Sequence, residues 1–79
     1  MEIKEYFSLC EERMPHSCKE LRHTSFTLRR NGMETMEELC RTQRYSPQTI
    51  AAMRGVGVKT AAVAKTVCEL YADSANAPQ

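Results

Sequence analysis

Proline and glycine punctuate this chain at Pro15, Gly32, Pro47, Gly55 and Gly57, and the apolar residues between them recur at three- and four-residue intervals. That spacing lines one face of a helix. No stretch carries the two-residue alternation of a half-buried strand. The pattern predicts an all-α fold, a compact bundle of about five short helices. Ile3, Tyr6, Phe7, Cys10 and Met14 make the first stripe, opposite Glu2, Lys4, Glu5, Glu11 and Glu12. Pro15 disfavours helical geometry in the residue before it, so the N-terminal helix falls within 2–14 and stops near Arg13.

The stretch HSCKELRH reads as a connector. Thr24 then offers an N-cap for a helix over about Ser25 to Asn31, with Leu28 inward and Gly32 as the left-handed residue after its end. Thr35 with Glu38 three residues on is a capping box, opening a helix in which Met36, Leu39 and Cys40 share a face. Ser46-Pro47 is another start signal, for a helix that runs through Ile50 and Met53 and ends at Gly55. The last helix spans about Val58 to Ala72, with Val63, Val67, Leu70 and Tyr71 on its apolar side. LRRNGMETMEEL and AAMRGVGVKTAAV both read as helix, glycine turn, hydrophobe, helix, an internal repeat of two helical hairpins.

A chain of 79 residues makes one domain, here expected over 1–73, with 74–79 as a disordered tail. No apolar run approaches the ~20 residues that span a bilayer, and acids stand where a secretion signal needs cations. A cytoplasmic location is expected, with no membrane partner. The cysteines Cys10, Cys18, Cys40 and Cys68 form no C-x-x-C pair, and three fall on apolar helix faces. Buried thiols explain them better than a metal site of Cys10, His16, Cys18 and His23, whose spacings match no common zinc pattern. No nucleophile–base pair can be placed and Glu38 is taken by capping, so neither catalysis nor a cofactor is expected.

A net charge of +1 conceals strong segregation. Residues 1–18 carry −2, 19–30 carry +3, 31–40 carry −3, 41–68 carry +5 and 69–79 carry −2. No acid lies between Glu38 and Glu69, while Arg41, Arg44, Arg54, Lys59 and Lys65 do. A local basic field of this kind attracts nucleic acid. For Arg41 and Arg44 a plain solvated surface explains the charge; Arg54 and Lys59 lie at a turn that adds chemistry.

That turn is RGVGVKTA, residues 54–61. Gly55 ends one helix in a conformation most residues resist. Val56 is expected to turn inward, and Gly57 to remove a side chain where something must come close. The first N–H groups of the following helix have no intrahelical acceptor and carry the positive end of its dipole, which suits a phosphate. Lys59 adds a cation and Thr60 a hydroxyl. The spacing is not that of a nucleotide-binding P-loop, and no strand precedes it as in a dinucleotide fold.

The run Ile50, Met53, Gly55-Val56-Gly57, Lys59-Thr60-Ala61, Ala64 and Val67 resembles the helix-hairpin-helix motif, with Arg54 where many members carry proline. From Leu21 to Tyr71 the order of elements is similar to the C-terminal domain of the bacterial RNA polymerase alpha subunit, through Leu28, Gly32-Met33, Thr35-Met36, Glu38-Leu39, Ile50, Gly57 and Lys59-Thr60. The resemblance implies a SAM-like bundle over 21–72 with two helix-hairpin-helix units. It implies binding to the backbone of double-stranded DNA across the minor groove, largely without sequence readout. RNA polymerase or a transcription regulator is the implied protein partner, and the chain is expected to be a monomer. Gly57, Lys59 and Thr60 correspond to DNA-contacting positions of that family. An arginine and an asparagine of the family's first bundle helix align with His23 and Phe26, and Arg22 is adjacent. Arg22, Arg54, Gly55, Gly57, Lys59, Thr60 and Lys65 are thus the candidate DNA-binding residues. The alternative is a protein-interaction module of the same fold, favoured by the apolar and acidic first helix.

Overall fold

The computed structural model of the chain describes residues 1–76. They form α1 (Ile3–Arg13), a 3₁₀ turn (Pro15–Ser17), α2 (Cys18–Arg30), α3 (Met36–Tyr45), α4 (Pro47–Ala51) and α5 (Val58–Asn76). The five helices are the all-α bundle that the apolar spacing predicts. The Cα radius of gyration, 11.6 Å, is that of a close-packed chain of this length. Among the described residues no helix is long and apolar enough to cross a membrane.

Packing centres on α2, which lies against α1 on one side and α5 on the other, while α3 packs against α4 and α5. Ile3, Phe7, Leu21, Leu28, Met36, Leu39, Ile50 and Val67 are essentially fully buried. Each such side chain contributes about 1.5–3 kcal/mol through the water it leaves. Ala64 is also fully buried, and its small side chain lets α5 lie close to its neighbours.

The first glycine turn closes as its sequence predicts. Gly32 has φ +87°, its N–H donates to the Arg29 carbonyl at 3.0 Å, and the Met33 N–H donates to Leu28 at 3.0 Å. Those two bonds and the buried Leu28 and Met33 side chains make a Schellman ending. The Thr35 hydroxyl accepts from the Glu38 N–H at 3.2 Å, capping α3. The strand-like approach of Glu2 to Thr35 is an isolated bridge, with the Ile3 N–H donating to Glu34 at 2.8 Å.

Four local expectations need correction. HSCKELRH is not a connector: helix begins at Cys18, and Thr24 lies inside α2 instead of capping it. Thr24, Ser25 and Thr27 supply three of the five buried positions, with Leu21 and Leu28 the other two, so hydroxyl residues hide the stripe from an apolar-only reading. Ser46 caps no N–H with its side chain, because the Thr49 N–H is taken by the Ser46 carbonyl at 2.9 Å. Next, α4 ends at Ala51, not Gly55. The Met53 N–H turns back to Ile50 at 3.1 Å, tightening the chain into a turn before the glycine. Finally, α5 continues to Asn76, past Ala72, so residues 74–76 are helical; residues 77–79 of the expected disordered tail lie outside the described residues.

The cysteines are free, Cys10 and Cys68 buried, Cys18 and Cys40 half-buried. Burial raises the thiol pKa of Cys10, Cys40 and Cys68, keeping them protonated. Cys18 is raised chiefly by the hydrogen bond it donates to Glu11.

The long helix is fastened by Tyr71, whose hydroxyl donates to a Glu37 carboxylate oxygen and whose ring meets Tyr6 edge to face at 5.0 Å. The hydroxyl, followed by the Met1 amine, holds the Glu37 carboxyl down to about 2 from an ordinary 4.5. The same bond, followed by desolvation, pushes Tyr71 up to about 12 from 10.0. A depressed acid stabilises the fold above its unfolded value, and that contribution is lost as pH falls through the folded one. A raised phenol stabilises below its unfolded value and loses the contribution as pH rises. Urea midpoints should therefore decline from pH 4.5 towards 2 and again from 10 towards 12. Tyr71→Phe should remove its share of the alkaline decline and shrink the acid one. Superimposable pH profiles for the two proteins would mean that the bond does not form in solution.

Candidate nucleic-acid interface

The second glycine turn is built differently from the first. The Val56 N–H donates to the Met53 carbonyl at 3.1 Å, and Gly55 has φ +88°, as the third residue of a type II turn requires. A Cβ added at Gly55 would also lie 3.3 Å from the Thr27 methyl carbon, so the turn sits directly on α2. The Asn31 side-chain amide ties it there, donating to the Thr27 carbonyl at 2.8 Å and to the Arg54 carbonyl at 3.0 Å. Val56 is only half-buried; Met53 is the turn residue that packs against the core. Gly57 has a negative φ, and a Cβ there would meet nothing within 4 Å. Nothing in the chain's own fold needs a glycine at that point.

Past Gly57, α5 begins at Val58, and the Ala61 N–H closes its first turn on the Gly57 carbonyl at 3.0 Å. The N–H groups of Val58, Lys59 and Thr60 precede that bond and have no intrahelical acceptor. Lys59 and Thr60 also line a cleft of about 270 Å3 between α2 and α5, together with Lys19, Glu20, His23, Thr24 and Val63. Thr24 is 1% exposed, and among the described residues its hydroxyl oxygen is a buried side-chain polar atom without a hydrogen-bond partner. A buried hydroxyl left unpaired destabilises unless something supplies a partner.

The cleft also contains a carboxylate that the charge pattern along the chain conceals. Glu20 lies 3.2 Å from the Lys59 ammonium. Its carboxyl is held below the usual range by a hydrogen bond from its own backbone N–H and then by Lys59. Lys59 stands in a sequence stretch without acids, yet folding brings one to it.

The candidate residues divide into groups. Arg54 and Gly55 border a second cavity, of about 440 Å3, in which Phe26 and Arg30 also take part. His23 belongs to both cavities, so Arg54, Gly55, Lys59 and Thr60 share one face of the molecule with α2 between them. Two candidates do not join them. Arg22 faces α1, where its Nε donates to Glu11 at 2.5 Å. Lys65 lies further along α5 in a groove against α3, near Arg41, Arg44 and Tyr45. Cys10, His16, Cys18 and His23 form no metal-binding cluster, and among the described residues no three such side chains gather.

Sequence reasoning passed over Lys19, Glu20, Thr24 and Asn31 as contributors. Lys19, His23, Phe26 and Arg30 recur at helical spacing, a signal that exists only once the segment from Cys18 is read as helix. Compared with protein-family models, curated proteins and solved structures, the chain returns no significant match.

Thr24→Val tests the unpaired hydroxyl directly. Removing a buried polar atom that has no partner should raise stability by about 1 kcal/mol in urea unfolding of the protein alone. A loss of stability of that size would mean that the hydroxyl is already satisfied within the fold.

Proposed function

We propose that this chain is a DNA-binding module that grips the phosphate backbone of a duplex across the minor groove, with little base readout, in a transcription-related role. The observation that carries the reading is the meeting, in one cleft, of the α5 N-terminus with Lys19, Lys59 and Thr60. Backbone N–H groups and a helix dipole favour an anion there, and the Lys59 ammonium adds a positive charge beside them. The open approach at Gly57 supports the same reading, because a phosphate could come against the backbone without meeting a side chain. The resemblance of residues 50–67 to a helix-hairpin-helix adds the class of ligand.

In this reading Glu20 competes with the phosphate for Lys59. The bridge is solvent-exposed, with the lysine side chain 80% accessible, so DNA displaces it at little cost. RNA polymerase or a transcription regulator remains the proposed protein partner. A protein-interaction reading is favoured by one observation: Leu9 is 48% exposed on α1, next to a half-acidic surface that carries Glu5 and Glu12.

Fluorescence titration of labelled duplex DNA at low salt tests the proposal. Lys59→Ala should weaken binding on every sequence alike and lower the salt slope by about one unit. Glu20→Gln should tighten binding by about threefold, the scale of an exposed ion pair, and should lose that gain when combined with Lys59→Ala. Affinity no better than millimolar at low salt would remove the DNA reading. Salt-insensitive capture of a protein through Leu9 would then replace it.

A further inference from the structure

Phe26 is out of keeping with the other phenylalanine. Phe7 is 1% exposed in the core, whereas Phe26 is 53% exposed on the outer face of α2. Its ring forms part of the cavity of about 440 Å3 beside the second glycine turn. The Arg30 guanidinium lies 5.7 Å from the ring centroid, within cation–π range. Arg54 enters from the turn, and its backbone is held to α2 by Asn31 at 3.0 Å. The side chains bordering the cavity include His23, Arg30 and Arg54 and no carboxylate, and among the described residues neither arginine makes an ion pair.

A phosphate alone explains the arginines but not an exposed aromatic ring. A second apolar protein surface would explain the ring but not the two arginines beside it. A flat ring with one guanidinium over it and a second in the same cavity fits a flat base attached to phosphates. In an intact duplex the base faces are stacked on one another and cannot reach the ring. An unpaired base can turn out and present its face.

We infer that the cavity beside Phe26 receives an unpaired nucleobase of a DNA strand, stacked on the Phe26 ring, with the adjoining phosphates held by Arg30 and Arg54. The inference rests on the DNA-binding reading above and sharpens its substrate to duplexes interrupted by unpaired bases. The α5 cleft holds the duplex backbone, and the Phe26 cavity, across His23, holds the base that leaves the stack.

The test compares the full chain on a labelled duplex of about 20 base pairs and on the same duplex carrying a gap of about three unpaired thymines. The gapped DNA should bind roughly tenfold tighter, the lower part of the range for stacking one base on an aromatic side chain. Phe26→Ala should abolish that preference while leaving affinity for the intact duplex within about twofold. Because the chain has no tryptophan, Phe26→Trp makes a sole reporter. Its fluorescence should be quenched by gapped DNA and not by intact DNA. Equal binding of the two DNAs by the unaltered chain, or equal weakening of both by Phe26→Ala, would overturn the base site and leave the backbone reading standing. No binding to either DNA would overturn both.

Discussion

Burial of a mixed stripe on α2 is the constraint on which the rest of the molecule depends. Leu21 and Leu28 anchor that stripe, and Thr24, Ser25 and Thr27 complete it. Because the helix starts at Cys18, it is long enough to pack on α1 with one side and on α5 with another. Its C-terminal end is fixed by the Gly32 turn, and Asn31, at that end, reaches across to the Arg54 carbonyl. One helix therefore sets both glycine turns relative to each other. Shortening it to start at Ser25 would remove Lys19, Glu20 and His23 from the surface where they meet α5.

The candidate interface follows from that arrangement. A helix N-terminus has little affinity for an anion by itself, since water satisfies its N–H groups equally well. What distinguishes the α5 terminus is its setting: a lysine from each of two helices and an unobstructed backbone at Gly57. Glu20 weighs in the opposite direction, holding Lys59 at 3.2 Å. An exposed bridge of this kind contributes little to stability and is readily exchanged for another partner.

Legibility in the sequence varied with the chemistry of the buried face. The first helix was readable because Ile3, Tyr6, Phe7 and Cys10 are all apolar and Pro15 stops them. The Gly32 turn was readable because only a left-handed residue can follow that helix end, and the Thr35 cap because its partner lies three residues on. The start of α2 was not, because threonine and serine take buried positions usually held by hydrophobes. The end of α4 was missed as well: a one-turn helix is held by its tertiary contacts, with Ile50 buried and Met53 against the core. Of the candidate site, the turn residues could be named from their spacing. Arg22 lies apart from them, because one position along a helix turns a side chain by about 100°, here towards Glu11.

From the sequence alone came the all-α class, the two glycine turns and the residues that follow the second one, since these depend on local spacing and on backbone conformations that few residues adopt. Tertiary structure alone decided which charges meet. The stretch from residue 39 to 68 has no acid, yet Lys59 is paired, because Glu20 arrives from a helix 39 residues earlier in the chain. It also decided that Thr24 is buried rather than capping and that Phe26 stands exposed beside Arg30 and Arg54. Coulombic and hydrogen-bonding partners act through space, and only packing sets those distances.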